Sequence, residues 1–239
     1  VTTIVNAAAE PEIIDLAVFL KKMGADISGE GTDTITITGD KKLHGAEHTV
    51  MPDRIEAGTF MIAAAITKGD IMIENVVERD LKPILAKLSE ANVKTEKIEE
   101  KTLRVYTTAK LQPISLKTMP FPGFPTDMQA PFMSLLSVIK GTSVITETVF
   151  ENRFLHAGEL QRMGAKINIE SRSAIIEGVE KLTGTQVKAT DLRAGAGLIL
   201  SALAAEGKTE ISDIYHIERG YYHIEKKLKK LGADICKVQ

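Results

Sequence analysis

No charge of either sign dominates this sequence: 30 Lys and Arg stand against 32 Asp and Glu, a formal net charge of −2. A nucleic-acid-binding face or an anionic-membrane anchor draws on a surplus of basic residues, and none is present. Long apolar runs are missing too. Stretches such as residues 60–67 fall far short of the roughly 20 residues that span a bilayer. A basic leader is absent, because Val1-Thr2-Thr3-Ile4-Val5 alternates as a strand does, so no signal peptide is expected. That opening, on Val with a strand under way, gives the expectation that the chain is cut from something longer. A single cysteine, Cys236, excludes an internal disulfide framework and fits a reducing, cytoplasmic setting. It follows Gly232-Ala233-Asp234-Ile235, where a terminal strand is expected, and a strand thiol outside an electropositive pocket is a poor nucleophile. Metal-ligand spacing is also lacking. His44 and His48 have Gly45 between them in a loop-to-strand stretch, and His156, His216 and His223 show no carboxylate partner, so no metal is expected.

What is present is the balance of a globular protein, 44% hydrophobic and 26% charged, in 239 residues, enough for one large domain or two small ones. Four segments share one pattern, an amphipathic helix closed by Gly or Asn and followed by a strand. The helices stop at Gly24, Asn92, Gly164 and Gly232, which lie 68, 72 and 68 residues apart. Gly, and next to it Asn, suits the left-handed position just past a helix. Downstream of the first three stops come two short strands, then a strand running into an Asp: Val50 to Asp53, Gly123 to Asp127, Val187 to Asp191. An apolar, small-residue helix follows each Asp, at residues 57–67, 130–139 and 194–205, and a Gly at 69, 141 and 207 turns into a closing strand. The predicted fold is mixed α/β (α+β): units of about 70 residues around an axis, helices inside and sheets outside. No Gly-x-Gly-x-x-Gly follows a strand and no phosphate loop ends Gly-Lys-Ser/Thr, so a nucleotide-binding Rossmann or P-loop unit is not expected.

The repeats also act as a control, since what all copies share is scaffold. Asp53, Asp127 and Asp191 occupy one point before a helix, and their shared expected role is N-capping. The second copy differs. Pro120-Phe121-Pro122-Gly123-Phe124-Pro125 is a stiff apolar loop that holds Asp127 in one place and shields it, which would raise its pKa towards that of a general base. A basic series accompanies the helix starts: Arg79, Arg153 and Arg219, with Arg54 beside Asp53 and Arg193 two residues after Asp191. Converging arginines near helix N-termini would make an anion site, although each alone reads as a solvated or ion-paired surface charge.

Laid out in order, Asn6-Ala7-Ala8, residues 52–60, Pro122 to Gln129, Glu147 to Phe154, Ala189 to Arg193 and His216 to Tyr221 resemble the UDP-N-acetylglucosamine 1-carboxyvinyltransferase family, of the EPSP synthase superfamily. The resemblance runs over essentially the whole chain. It implies an inside-out α/β barrel, with residues 1–50 the last part of a first domain and 51–239 a second domain lacking its N-terminal strand. It implies transfer of the enolpyruvyl group of phosphoenolpyruvate to the 3-hydroxyl of UDP-N-acetylglucosamine with release of phosphate, the first committed step of bacterial peptidoglycan synthesis. By motif, Asp127 is the candidate base that meets the sugar hydroxyl. Val149 takes the position whose backbone contacts the nucleotide, and Arg219 that of an arginine engaging phosphoenolpyruvate. Arg153, Asp191 and Arg193 match polar residues around the reacting centre. The family's Cys-bearing loop and Lys-Asn pair are not found here, so this chain alone is expected to be inactive and to need a missing N-terminal half. The alternatives are the sister 3-phosphoshikimate 1-carboxyvinyltransferase and a non-catalytic binding fragment of the same fold.

Overall fold

The computed structural model describes residues 1–238. The chain opens with β1 (Thr2–Val5), α1 (Pro11–Lys22), β2 (Asp26–Ser28) and β3 (Thr34–Thr38). β3 lies between antiparallel β1 and β2, and α1 covers them through Ala17, which meets Ile27 and Ile35 in a small core of its own. Residues 39–53 are irregular, and the strand expected from Val50 into Asp53 does not form. Its backbone is drawn elsewhere: Met51 N–H donates to the Asp15 carboxylate at 3.4 Å, and Pro52 has no N–H to offer a ladder.

Three related units follow. The first holds α2 (Arg54–Thr67), β4 (Asp70–Ile73), α3 (Glu78–Glu90), β5 (Val93–Glu99) and β6 (Thr102–Thr107). The second holds β7 (Ser115–Lys117), α4 (Gln129–Ser137), β8 (Gly141–Thr146), α5 (Leu155–Arg162), β9 (Lys166–Glu170) and β10 (Ser173–Gly178). The third holds β11 (Leu182–Thr183), β12 (Gln186–Lys188), α6 (Leu192–Ala204), β13 (Ala205–Glu206), β14 (Glu210–Ser212), α7 (Tyr215–Glu218) and α8 (Ile224–Lys230). In the second unit β7 runs parallel to β8, which continues into antiparallel β10 and β9; in the third, β12 pairs parallel with β14.

Helices α2, α4 and α6 form the interior, and the sheets and remaining helices wrap them. Every residue of α4 is buried, as is Ala194–Ser201 of α6. Small residues permit the close approach that this demands. Ser134 Oγ donates to the Gly197 carbonyl at 2.7 Å, and a Cβ on Gly197 would stand 3.1 Å from the Ala130 carbonyl oxygen. The outer helices end as the spacing predicts, with φ of 99° at Gly24, 67° at Asn92, 94° at Gly164 and 100° at Gly232. After α1, Gly24 N–H returns to Lys21 and Ala25 N–H to Leu20, a pattern repeated at Gly164 and Gly232.

Two other expected strands are lost. The segment from Gly123 to Asp127 keeps only a single bridge between Thr118 and Phe124, since its prolines remove the donors a ladder needs. Residues 233–238 are irregular, and Cys236 is exposed, not part of a terminal strand. Where β10 ends against the C-terminus of α4, a Cβ on Gly178 would fall 1.7 Å from the Ile139 carbonyl oxygen. Gly178→Ala is therefore expected to destabilise the fold by about 3 kcal/mol through overpacking against backbone, read as a lower urea midpoint at unchanged slope. A variant as stable as the parent would show that the two segments separate freely.

Candidate active site

The starts of the three inner helices lie together. Asp53 caps α2, accepting from Ile55 and Glu56 N–H at 2.7 and 3.1 Å, and Asp191 caps α6, accepting from Arg193 and Ala194 N–H at 2.8 and 2.9 Å. Asp127 departs from the shared capping role expected of it. It sits in a single 3-10 turn, residues Thr126–Met128, and no side chain caps α4. Its carboxylate is taken by two arginines instead: Arg153 Nη2 donates to Oδ1 at 3.0 Å and Arg193 Nη2 to Oδ2 at 2.9 Å. The isolated, apolar-shielded carboxylate expected from the proline-rich loop is thus an ion-paired one.

The network continues inward. Arg193 Nη1 donates to the Tyr221 hydroxyl at 3.1 Å, and that hydroxyl meets Thr59 Oγ1 of α2 at 2.9 Å. Burial would lower the Arg193 guanidinium, but Tyr221 and Asp127 outweigh it and hold it above the usual arginine value. Burial pushes the Tyr221 hydroxyl up, with Arg193 offsetting part of the shift. Arg153 also lies over the Phe150 ring, 4.9 Å from its centre. One residue from each unit, Thr59 in the second turn of α2, Asp127 before α4 and Arg193 in the first turn of α6, therefore joins a single chain of contacts.

Only part of the basic series converges. Arg54 forks onto Glu12 of α1 at 2.9 and 3.2 Å, with its other flank 5.9 Å from the Phe121 ring centre. Arg79 is exposed and paired with its neighbour Asp80 at 3.3 Å. The five arginines thus do not converge: Arg54 and Arg79 pair with carboxylates elsewhere, and only Arg153 and Arg193 gather on Asp127. Arg219 caps the C-terminus of α7, exposed and outside the Asp127 cluster, with no side-chain partner among the described residues. Its backbone is nonetheless tied to the start of α6: Gly220 packs on Leu192 so closely that a Cβ would be 2.7 Å from its side chain, and Tyr221 holds Arg193. Val149 lies on the loop after β8, exposed, and its N–H is committed to Glu147 at 2.8 Å.

Two residues escaped assignment from sequence. Glu147 is 1% exposed and accepts from the Thr118 and Thr126 hydroxyls at 2.7 and 2.8 Å and from Val149 and Phe150 N–H at 2.8 and 3.0 Å. Its signal is the alternation of β8: Ser143 and Ile145 face inward, and the same register carries Glu147 to the buried side. His156 of α5 is fully buried behind Asp191, with Nε2 unpartnered among the described residues. Burial pulls it down to about 4, with Asp191 opposing and Arg153 adding to the shift. Elsewhere, His48 stacks on Phe19 at 5.0 Å and contacts Asp15, a packing role. No helix is long and apolar enough to cross a membrane, and among the described residues no cluster of three His, Cys, Asp or Glu could hold a metal.

Arranged this way, a carboxylate between two arginines can orient a hydroxyl and take its proton, while the guanidinium N–H groups not used on Asp127 and Tyr221 can meet an anion. Comparison with known proteins adds the family. The profile of the family described as EPSP synthase (3-phosphoshikimate 1-carboxyvinyltransferase) matches residues 1–228. UDP-N-acetylglucosamine 1-carboxyvinyltransferase 1 of Caldanaerobacter subterraneus subsp. tengcongensis is 62% identical over 98% of this chain and 56% of that protein. The corresponding protein of Staphylococcus aureus strain MRSA252 is 53% identical over 99% of this chain and 56% of its own. Among solved structures, the enolpyruvyl transferase NikO from Streptomyces tendae superposes with a TM-score of 0.85 at 30% identity, over 98% of this chain and 56% of that one. EPSP synthase from Acinetobacter baumannii, at 20% identity and a TM-score of 0.68 over 92% of this chain and 54% of that one, shares the fold. The chain spans a little over half the length of these relatives.

Proposed function

The chain belongs to the EPSP synthase family, and from that premise we propose that it carries part of the site that moves the enolpyruvyl group of phosphoenolpyruvate onto the 3-hydroxyl of UDP-N-acetylglucosamine, releasing phosphate. The observation that carries the reading is Asp127 held between Arg153 and Arg193 at the joined starts of the inner helices. In this role Asp127 meets the sugar hydroxyl and receives its proton as the oxygen adds to the enol carbon that bears the phosphate. The double-bond electron pair takes a proton at the methylene carbon from a general acid supplied by the rest of a full-length polypeptide. Loss of a proton from that carbon then expels phosphate and restores the enol. Arg193 and Arg153 stay beside the departing negative charge, and the N-termini of α2, α4 and α6 add their positive ends. Arg219, free of an ion pair, engages phosphoenolpyruvate from the α7 side. The Val149 carbonyl accepts from a donor on the sugar nucleotide. Asp191 acts through the cap that holds Arg193 at the head of α6.

Identities of 53–62% to proteins named for UDP-N-acetylglucosamine support the sugar nucleotide over shikimate 3-phosphate. We assign the reaction to bacterial peptidoglycan synthesis in the cytoplasm, and the chain to two domains, residues 1–50 and 51 onward, in keeping with their separate cores.

Ligand-dependent melting tests the reading. At about 100 times its dissociation constant, UDP-N-acetylglucosamine should stabilise the chain by about 2.7 kcal/mol, whereas shikimate 3-phosphate should leave the melting temperature unchanged. Equal shifts from both compounds, or a shift from shikimate 3-phosphate alone, would count against the sugar-nucleotide assignment. Turnover is measured with the chain in a polypeptide of the relatives' full length, by phosphate release.

A further inference from the structure

We propose that Glu147 is a positioning residue whose carboxyl group, by its reach, fixes Asp127 and Val149 relative to one another. Four donors converge on it, all uncharged, and they come from three segments. Oε2 takes the hydroxyl of Thr126, the residue before Asp127. Oε1 takes the N–H of Val149 and of Phe150, whose ring lies under Arg153. Oε1 also takes the hydroxyl of Thr118, and Thr118 in turn accepts from Thr148 N–H at 2.9 Å and receives the Thr148 hydroxyl on its carbonyl. The proline-rich loop has one bridge to hold it to the sheet. The Thr148–Thr118 bonds and the Arg153–Asp127 pair tie its two ends to the 147–153 loop, and Glu147 is the side chain that reaches both Thr118 and Thr126. A buried group that satisfies three segments at once holds them to a few tenths of an ångström, the tolerance an oriented proton transfer demands.

The geometry separates reach from charge. Glu147→Gln keeps the length: its amide oxygen can serve the three donors at Oε1, and the Thr126 hydroxyl can rotate to accept from the new NH₂. Glu147→Asp keeps the carboxylate but is one methylene short and cannot serve both Thr126 and the Val149–Phe150 amides. Turnover depends on the function proposed above, so the test pairs it with a measurement that does not. Hydrogen exchange at the Val149 and Phe150 amides should be fast in Glu147→Asp and as slow as the parent in Glu147→Gln. In the full-length context, kcat/KM for UDP-N-acetylglucosamine should fall about a hundredfold in Glu147→Asp and stay within about threefold in Glu147→Gln. Where Glu147→Asp folds poorly, Thr126→Val, which removes only the Oε2 contact, should lower kcat about tenfold with a melting temperature close to the parent's. Parent-like amide protection and turnover in Glu147→Asp overturns the inference, and so does Glu147→Gln as impaired as Glu147→Asp. If the parent shows no transfer at all, the assigned reaction fails, while the exchange data still decide whether Glu147 sets the geometry.

Discussion

Asp127→Asn is expected to lower enolpyruvyl transfer about a thousandfold, the scale of losing a positioned proton acceptor. Asn has the size of Asp but takes no proton, and its NH₂ faces either Arg153 or Arg193, where two donors now meet without an acceptor. The loss should fall mainly on kcat, because the arginines and the Val149 carbonyl to which substrate binding is assigned above are unchanged by the substitution. Asp53→Asn supplies the control: that residue occupies the same repeat position but caps α2, and Asn caps nearly as well as Asp. Turnover by Asp127→Asn within tenfold of the parent would remove Asp127 from the chemistry.

The second large effect concerns stability. The unfolded imidazole of His156 binds its proton near the ordinary histidine value of about 6.5, whereas in the fold burial pulls it down to about 4. A folded pKa below the unfolded one means that the unfolded state takes up the proton first, so stability is lost as pH falls. The loss starts below about 6.5, grows to about 3 kcal/mol near pH 4 and then levels off. Urea unfolding at pH 7.5 and pH 5 should differ by about 2 kcal/mol from this group alone. His156→Leu fills the same buried position without a titrating ring, and its stability should change far less over that interval. If the Leu variant follows the parent's pH curve, the imidazole is not the group responsible.

The repeat was legible because its punctuation is local chemistry. Gly24, Asn92, Gly164 and Gly232 adopt left-handed backbone for reasons contained in their own side chains, and the inner helices follow from their apolar, small-residue composition. The Val50–Asp53 strand was misjudged because Met51 N–H is taken by Asp15, far away in sequence, which no local pattern reveals, and because Pro52 removes a further donor. Asp127 was singled out as the unlike copy, and the resemblance set Arg153 and Arg193 near the same centre, but the arginine series by itself did not identify them as its partners. Which arginines reach it depends on the packing of α4 against α6, so Arg54 and Arg79 looked equivalent to Arg153 and Arg193. Glu147 sat inside a quoted motif with its inward register readable, yet a carboxylate at a strand end ordinarily faces water. Only the fold supplies the three segments that surround it.

At the centre of the molecule, Ser134 touches the Gly197 backbone and Gly58 lies where any added methyl would strike Met128 and Ile84. Three helices pressed together this tightly leave little spare volume along their shared length, least where Gly197 faces the Ala130 backbone. Divergence among the copies is thereby pushed to the helix tips, where solvent begins and a side chain can change without moving an axis. A threefold-repeated body of this kind can keep its middle uniform and still carry an alcohol, an acid and a guanidinium, each contributed by a different copy, within one another's reach.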